Sequence, residues 1–130
     1  MVYEHFIRVR YAECDRMGFV HHSNYAMYLE EARTEILRAK GITYKDMEDD
    51  GIIMPVRSMS FQFIKAAKYD DLLKITVEVV GETHVRCDFK YEIYNQDGVL
   101  LTNATTEMFF VNKVNMRPMR LPEKYLKSFD

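Results

Sequence analysis

Asp15, Gly18, His21 and His22 follow one another along the run YAECDRMGFVHHSNY (11–25), directly before an apolar stripe of helical period. The first turn of a helix has N–H groups with no intrahelical acceptor and a partial positive charge. Such groups can hold a carbonyl oxygen that becomes an oxyanion. A carboxylate beside them can attack the carbonyl carbon or activate water against it. A loop acid facing a helix start is therefore sufficient, in principle, for acyl transfer. No Ser/His/Asp triad is evident, and there is no G-x-S-x-G elbow.

On spacing alone each residue keeps a second reading. Asp15 also reads as a loop carboxylate that ends a strand, and His22 as a helix-start ring packed on a sheet. His21 and His22 are adjacent and should point in different directions, which argues against a paired metal site. Cys14 and Asp15 complete no zinc-ligand spacing. A nucleotide would want a glycine-rich phosphate loop, and none is present.

These residues need elements to hold them. Tyr3 to Tyr11 reads as a strand. Tyr25, Tyr28, Leu29, Ala32, Ile36 and Leu37 recur at three- and four-residue steps, predicting a helix over 25–40 with one broad apolar face. Ser23 or Asn24 is the expected N-cap, without a capping box, and Gly41 the stop. Glu30–Arg33 and Glu35–Arg38 read as helix-surface pairs. A second helical turn is expected at 43–50, with Glu48, Asp49 and Asp50 as a solvated turn.

Beyond it the period becomes two. Met59, Phe61 and Phe63, then Leu73 to Val79, then Val85 to Ile93, alternate with polar residues. Asn95 to Gly98 is a turn, and Val99 to Val111 a last long strand. One apolar face per strand and tight turns predict an antiparallel sheet in an α+β fold, its apolar face covered by the 25–40 helix. Strands this long leave edges and faces that one small domain cannot cover, so a dimer or larger oligomer is expected.

The 130 residues fit a single domain (1–130) with no room for a separate cofactor domain. A chain of 15.5 kDa can bury about two thirds of its surface without a disulfide or metal staple. Hydrophobic residues at 48% and charged residues at 29% describe a globular rather than a disordered chain. A net charge of −2 argues against a nucleic-acid binder. Two distant cysteines, Cys14 and Cys87, predict reduced thiols in a cytoplasmic protein. The N-terminus reads as neither a signal peptide nor a membrane span. The nine methionines read as core filler.

The run Asp15-Arg-Met-Gly18-Phe-Val-His-His22-Ser-Asn-Tyr25, continued by Tyr28-Leu-Glu30-Glu-Ala32-Arg33-Thr-Glu35, resembles the hotdog-fold acyl-CoA thioesterases. More narrowly it is similar to the 4-hydroxybenzoyl-CoA thioesterase-like branch with its Tol–Pal-associated members. The likeness continues through 59–63, Asp70-Asp71 and the closing 117–122. It implies a long central helix wrapped by an antiparallel sheet, and an enzyme that needs neither cofactor nor metal. It also implies an acyl-CoA substrate, or its acyl-carrier-protein counterpart, and a homodimer or homotetramer.

By position, the resemblance makes Asp15 the catalytic carboxylate, as nucleophile or general base. His22 becomes the residue whose backbone N–H polarises the thioester carbonyl, its ring also orienting substrate. Tyr25 could line the acyl pocket. The CoA phosphates call for cations at the mouth, with Lys65, Lys68 and Arg117, then Lys113 and Arg120, as candidates. Two departures stand out: Ala66-Ala67-Lys68-Tyr69 where relatives often carry a proline, and Met17 in place of a small residue before Gly18. A non-catalytic binding module of the same fold is the alternative reading, and a dehydratase or hydratase a further one.

Overall fold

In the computed structural model, which describes residues 2–129, the elements run β1 (Val2–Arg8), α1 (Tyr25–Ala39), α2 (Tyr44–Asp49), β2 (Ile52–Ile53), β3 (Val56–Phe63), β4 (Leu72–Glu82), β5 (Arg86–Tyr94), β6 (Leu100–Phe109), β7 (Val111–Asn112) and α3 (Glu123–Leu126). All six residues of the predicted stripe on α1 are buried. Gly41, at φ +89°, takes the left-handed conformation that lets the chain leave the helix. Thr43 caps α2, its hydroxyl accepting from the Asp46 N–H at 3.0 Å.

Arg33 departs from its expected surface pairing with Glu30. It is only 5% exposed, because steps of four from Tyr25 through Leu29 reach it and then Leu37, on the inward stripe. The phenols of Tyr44 and Tyr91 lie near its guanidinium. Glu35 and Arg38 do pair on the surface, at 3.5 Å.

β1, β4, β5, β6 and β3 form one sheet in that order, antiparallel throughout. Leu73, Ile75 and Val77 of β4 and Cys87, Phe89, Tyr91 and Ile93 of β5 are buried, as the period-two pattern predicts. The helix α1 packs against β1 and β4. The Asn95–Gly98 turn forms as read, the Asn95 side chain accepting from the N–H groups of Asp97 and Val99 at 3.0 Å each. Val85 falls outside β5 and is exposed. β3 lies at the sheet edge and exposes Val56, Met59 and Phe63.

β1 stops at Arg8 rather than Tyr11. The Val9 N–H turns to the Asp71 carbonyl (2.9 Å), and 11–13 form a 3-10 turn. The period-two reading also missed a small ladder between β2 and β7 and the closing α3. Leu121, Tyr125 and Phe129 from this closing segment are buried. Asp50 is not a free turn residue: it pairs with Lys124 at 2.6 Å and accepts a hydrogen bond from the Tyr125 hydroxyl. No helix among the described residues is long and apolar enough to cross a membrane.

Candidate active site

The loop that leaves the 11–13 turn is folded tightly on itself. The Asp15 N–H donates to the Phe19 carbonyl at 2.8 Å, and the Gly18 N–H to the Asp15 carbonyl at 3.0 Å. Gly18, at φ +80°, occupies the left-handed conformation this turn needs. Asp15 Oδ1 accepts from the N–H groups of Met17 (2.9 Å) and Phe19 (3.2 Å). Its second oxygen, Oδ2, has no hydrogen bond within the described residues. The loop is pinned to the segment before β4 by the Val20 N–H on the Ala67 carbonyl, at 2.8 Å, and by the Phe19–Lys68 bridge. Burial, then the carboxylates of Asp15 and Glu13, push the adjacent Cys14 thiol up, so it remains a thiol rather than a thiolate.

The helical run opens one turn earlier than expected. A 3-10 turn, His22–Asn24, leads into α1, and its cap is His21 rather than Ser23 or Asn24. The His21 ring accepts from the Ser23 N–H through Nδ1 (3.2 Å) and shares a 2.8 Å hydrogen bond with the Ser23 hydroxyl. The Asn24 N–H is taken by the His21 carbonyl at 3.0 Å. The Asn24 side chain is used elsewhere, donating to the Glu13 carbonyl at 2.8 Å. The His22 N–H alone in this first turn finds no acceptor within the described residues. The two histidine rings do not diverge; they stack at 4.2 Å, because the cap hydrogen bonds fold His21 over the helix start.

A cavity of about 260 Å³ brings Asp15, His22, Tyr25 and Lys65 together, with Phe63 and Ile64 on the wall contributed by the end of β3. The Tyr25 and Phe63 rings meet edge to face at 4.9 Å. Burial raises the Tyr25 phenol above its ordinary pKa, so it stands here as a neutral hydroxyl. The other two residues expected in the site lie apart from it. Lys68 sits on the flank of the Asp15 loop, its N–H donating to Asp71 at 2.9 Å. Arg117 belongs to the turn after β7, where its carbonyl accepts from the Asn112 N–H at 2.8 Å and its N–H donates to the Asn115 side chain at 2.9 Å. Phe63 and Ile64 were not singled out from the sequence, since only the sheet order carries the end of β3 to the helix start.

The carboxylate, the untaken amide and the apolar wall sit on an antiparallel five-stranded sheet with one main helix, a hotdog-like α+β thioesterase fold. The chain belongs to the thioesterase-like superfamily, whose sequence model matches residues 9–129. A putative acyl-CoA thioesterase, YneP, of Bacillus subtilis is 31% identical over 119 residues, spanning 92% of this chain and 86% of its own. The acyl-CoA thioester hydrolase YbgC of Escherichia coli is 29% identical over 123 residues, spanning 95% and 92%. Among solved structures, the DHNA-CoA thioesterase of Staphylococcus aureus matches with a TM-score of 0.90 at 35% identity, over 97% of this chain and 84% of that one.

Proposed function

We propose that this protein hydrolyses acyl-CoA thioesters to the free acid and CoA, with Asp15 as the catalytic carboxylate and the His22 N–H as the oxyanion donor. The observation that carries this reading is that Asp15 and His22 line one cavity at the helix start. Thioester chemistry suits so sparse a site. The leaving thiol has a pKa of about 8.5, so it departs as a thiolate without a general acid. What remains is to deliver a nucleophile and to hold the negative charge that develops on the carbonyl oxygen. Asp15, fixed through one oxygen, has the other available to attack the carbonyl carbon or to take a proton from water. The His22 amide, at the positive end of the helix dipole, meets the oxyanion.

Tyr25, Phe63 and Ile64 then hold the acyl group, and Lys65, with Lys68 beside the loop, faces the CoA phosphates. Arg117 lies too far round the fold to join them within one chain. A carrier-protein thioester presents the same carbonyl and is the competing substrate. The unbridged cysteines support a reducing, cytoplasmic setting. The exposed apolar edge at β3 supports a homodimer in which a second copy covers that strand.

The test is thiol release from short, medium, long and aromatic acyl-CoAs and from acyl-carrier protein, with Asp15→Asn alongside. The variant should keep its circular dichroism spectrum and lose at least about a hundredfold in kcat. Undiminished turnover in Asp15→Asn would sink the assignment of the carboxylate. Saturable CoA-ester binding without thiol release would leave a binding module of the same fold.

A further inference from the structure

We propose that Glu13 is a positioning residue for this reaction, setting the distance between the Asp15 carboxylate and the His22 amide through its buried carboxylate and its main-chain oxygen. The inference rests on the thioesterase reading above. Glu13 is 6% exposed, and a carboxylate in that position is costly unless its oxygens are satisfied. Both are. Oε1 accepts from the Arg10 N–H at 2.8 Å and the Tyr28 hydroxyl at 2.9 Å. Oε2 faces the Arg10 guanidinium, with contacts of 3.3 and 3.4 Å. The Glu13 main-chain oxygen accepts from the His21 N–H at 2.9 Å and the Asn24 side chain at 2.8 Å.

One residue therefore joins the end of the β1 segment, the cap of the helical run and the buried face of α1. The two functional groups hang directly from it. Asp15 is two residues beyond Glu13, and the His22 amide is the next one after the His21 N–H that Glu13 receives. Between them the Cys14–Val20 bridge closes the loop. Burial and the carboxylate itself drive the Tyr28 phenol strongly upward, so it stays protonated as the donor. Glu13 is absent from the cavity of Asp15 and His22, and lines a separate hollow with Arg10 and Tyr28. Its influence on the chemistry runs through the geometry of others, where a displacement of about 1 Å is enough to cost about a hundredfold in rate.

Steady-state hydrolysis of the best acyl-CoA substrate should be measured for Glu13→Ala, Glu13→Gln, Tyr28→Phe and, as a stability control remote from the cavity, Met47→Ala. Glu13→Ala should lower kcat by about 30- to 100-fold with KM within about twofold, because the groups are misplaced rather than the pocket lost. Glutamine keeps an acceptor for Arg10 and Tyr28 and should restore kcat to within about threefold of wild type. Tyr28→Phe, which leaves the loop sequence intact, should lose about tenfold in kcat. Met47→Ala should lower Tm without lowering kcat. The inference is overturned if Glu13→Ala, or Tyr28→Phe where Glu13→Ala does not fold, keeps wild-type kcat. It is overturned equally if kcat simply follows Tm across all four variants. A wild type that turns over no acyl-CoA overturns the thioesterase reading, and this inference with it.

Discussion

His22 is assigned work for its backbone rather than its side chain, and two substitutions separate the roles. His22→Ala keeps the N–H and should lose less than about tenfold in kcat, whereas His22→Pro removes it and should lose about 10²- to 10³-fold, the range for deleting one oxyanion donor. Proline is well tolerated at a first helical position, and the preceding residue, His21, already has the extended φ −66°, ψ 136° that proline demands. Both variants should therefore melt close to wild type. Equal losses in the two would give the ring, not the amide, the catalytic part. The sequence brought Asp15, His22 and Tyr25 to notice because neighbours along a short loop and the helix it enters stay neighbours in space. Phe63 and Ile64 reach the cavity only through the sheet order, which no local pattern encodes. Arg117 illustrates the opposite failure: a cation of the right type whose segment folds to another corner. Glu13 gave no signal because an acid in a polar stretch looks like surface until its oxygens are seen to be spoken for.

Elements with a strong period were legible, and short ones were not. The helix α1 and strands β4 and β5 carry enough alternation to be read from apolar spacing alone, since each buries one face over many residues. β6, whose buried face includes Thr102 and Thr106, was legible as a long strand following the Asn95–Gly98 turn. β2, β7 and α3 are too short for a period and exist by virtue of what they touch. The clasp that holds α3 is testable through pH. Hydrogen bonds from Lys124 and then Tyr125 hold the Asp50 carboxyl below its usual range, and Asp50 in turn raises Lys124. A carboxylate lowered in the folded chain stabilises fully above its unfolded pKa of about 3.9, and loses that contribution as pH falls through the folded value. A raised lysine contributes fully below about 10.4 and loses its share as pH climbs through its folded value. Asp50→Asn should thus lower Tm by a few degrees at neutral pH, and the gap from wild type should narrow steadily as pH falls below the ordinary carboxylate value of about 3.9. A gap that does not narrow with falling pH would mean the clasp acts by packing alone.

The whole molecule is a sheet with one covered face and two edge strands, β1 and β3, of which β3 borders the cavity of Asp15. α1 covers the inner face, while β3 presents its outer backbone together with Val56, Met59 and Phe63 to its surroundings. A row of unpaired N–H and C=O groups beside exposed apolar side chains invites a second strand. Sedimentation of the wild type should give at least twice the 15.5 kDa chain mass. Met59→Lys, which puts a charge on that edge, should shift the protein to the monomer without disturbing its circular dichroism. A wild type that sediments as a monomer would overturn the expected pairing, and a variant that keeps the larger mass would place the contact elsewhere.

Phe63 closes β3 and, with Ile64, also walls the cavity of Asp15. If a second copy docks along that strand, it touches the pocket rim, and catalysis then depends on how often two chains have met. Specific activity would fall as the enzyme is diluted through its own dissociation constant, and a concentrated stock added to a dilute assay would begin fast and then slow as pairs come apart.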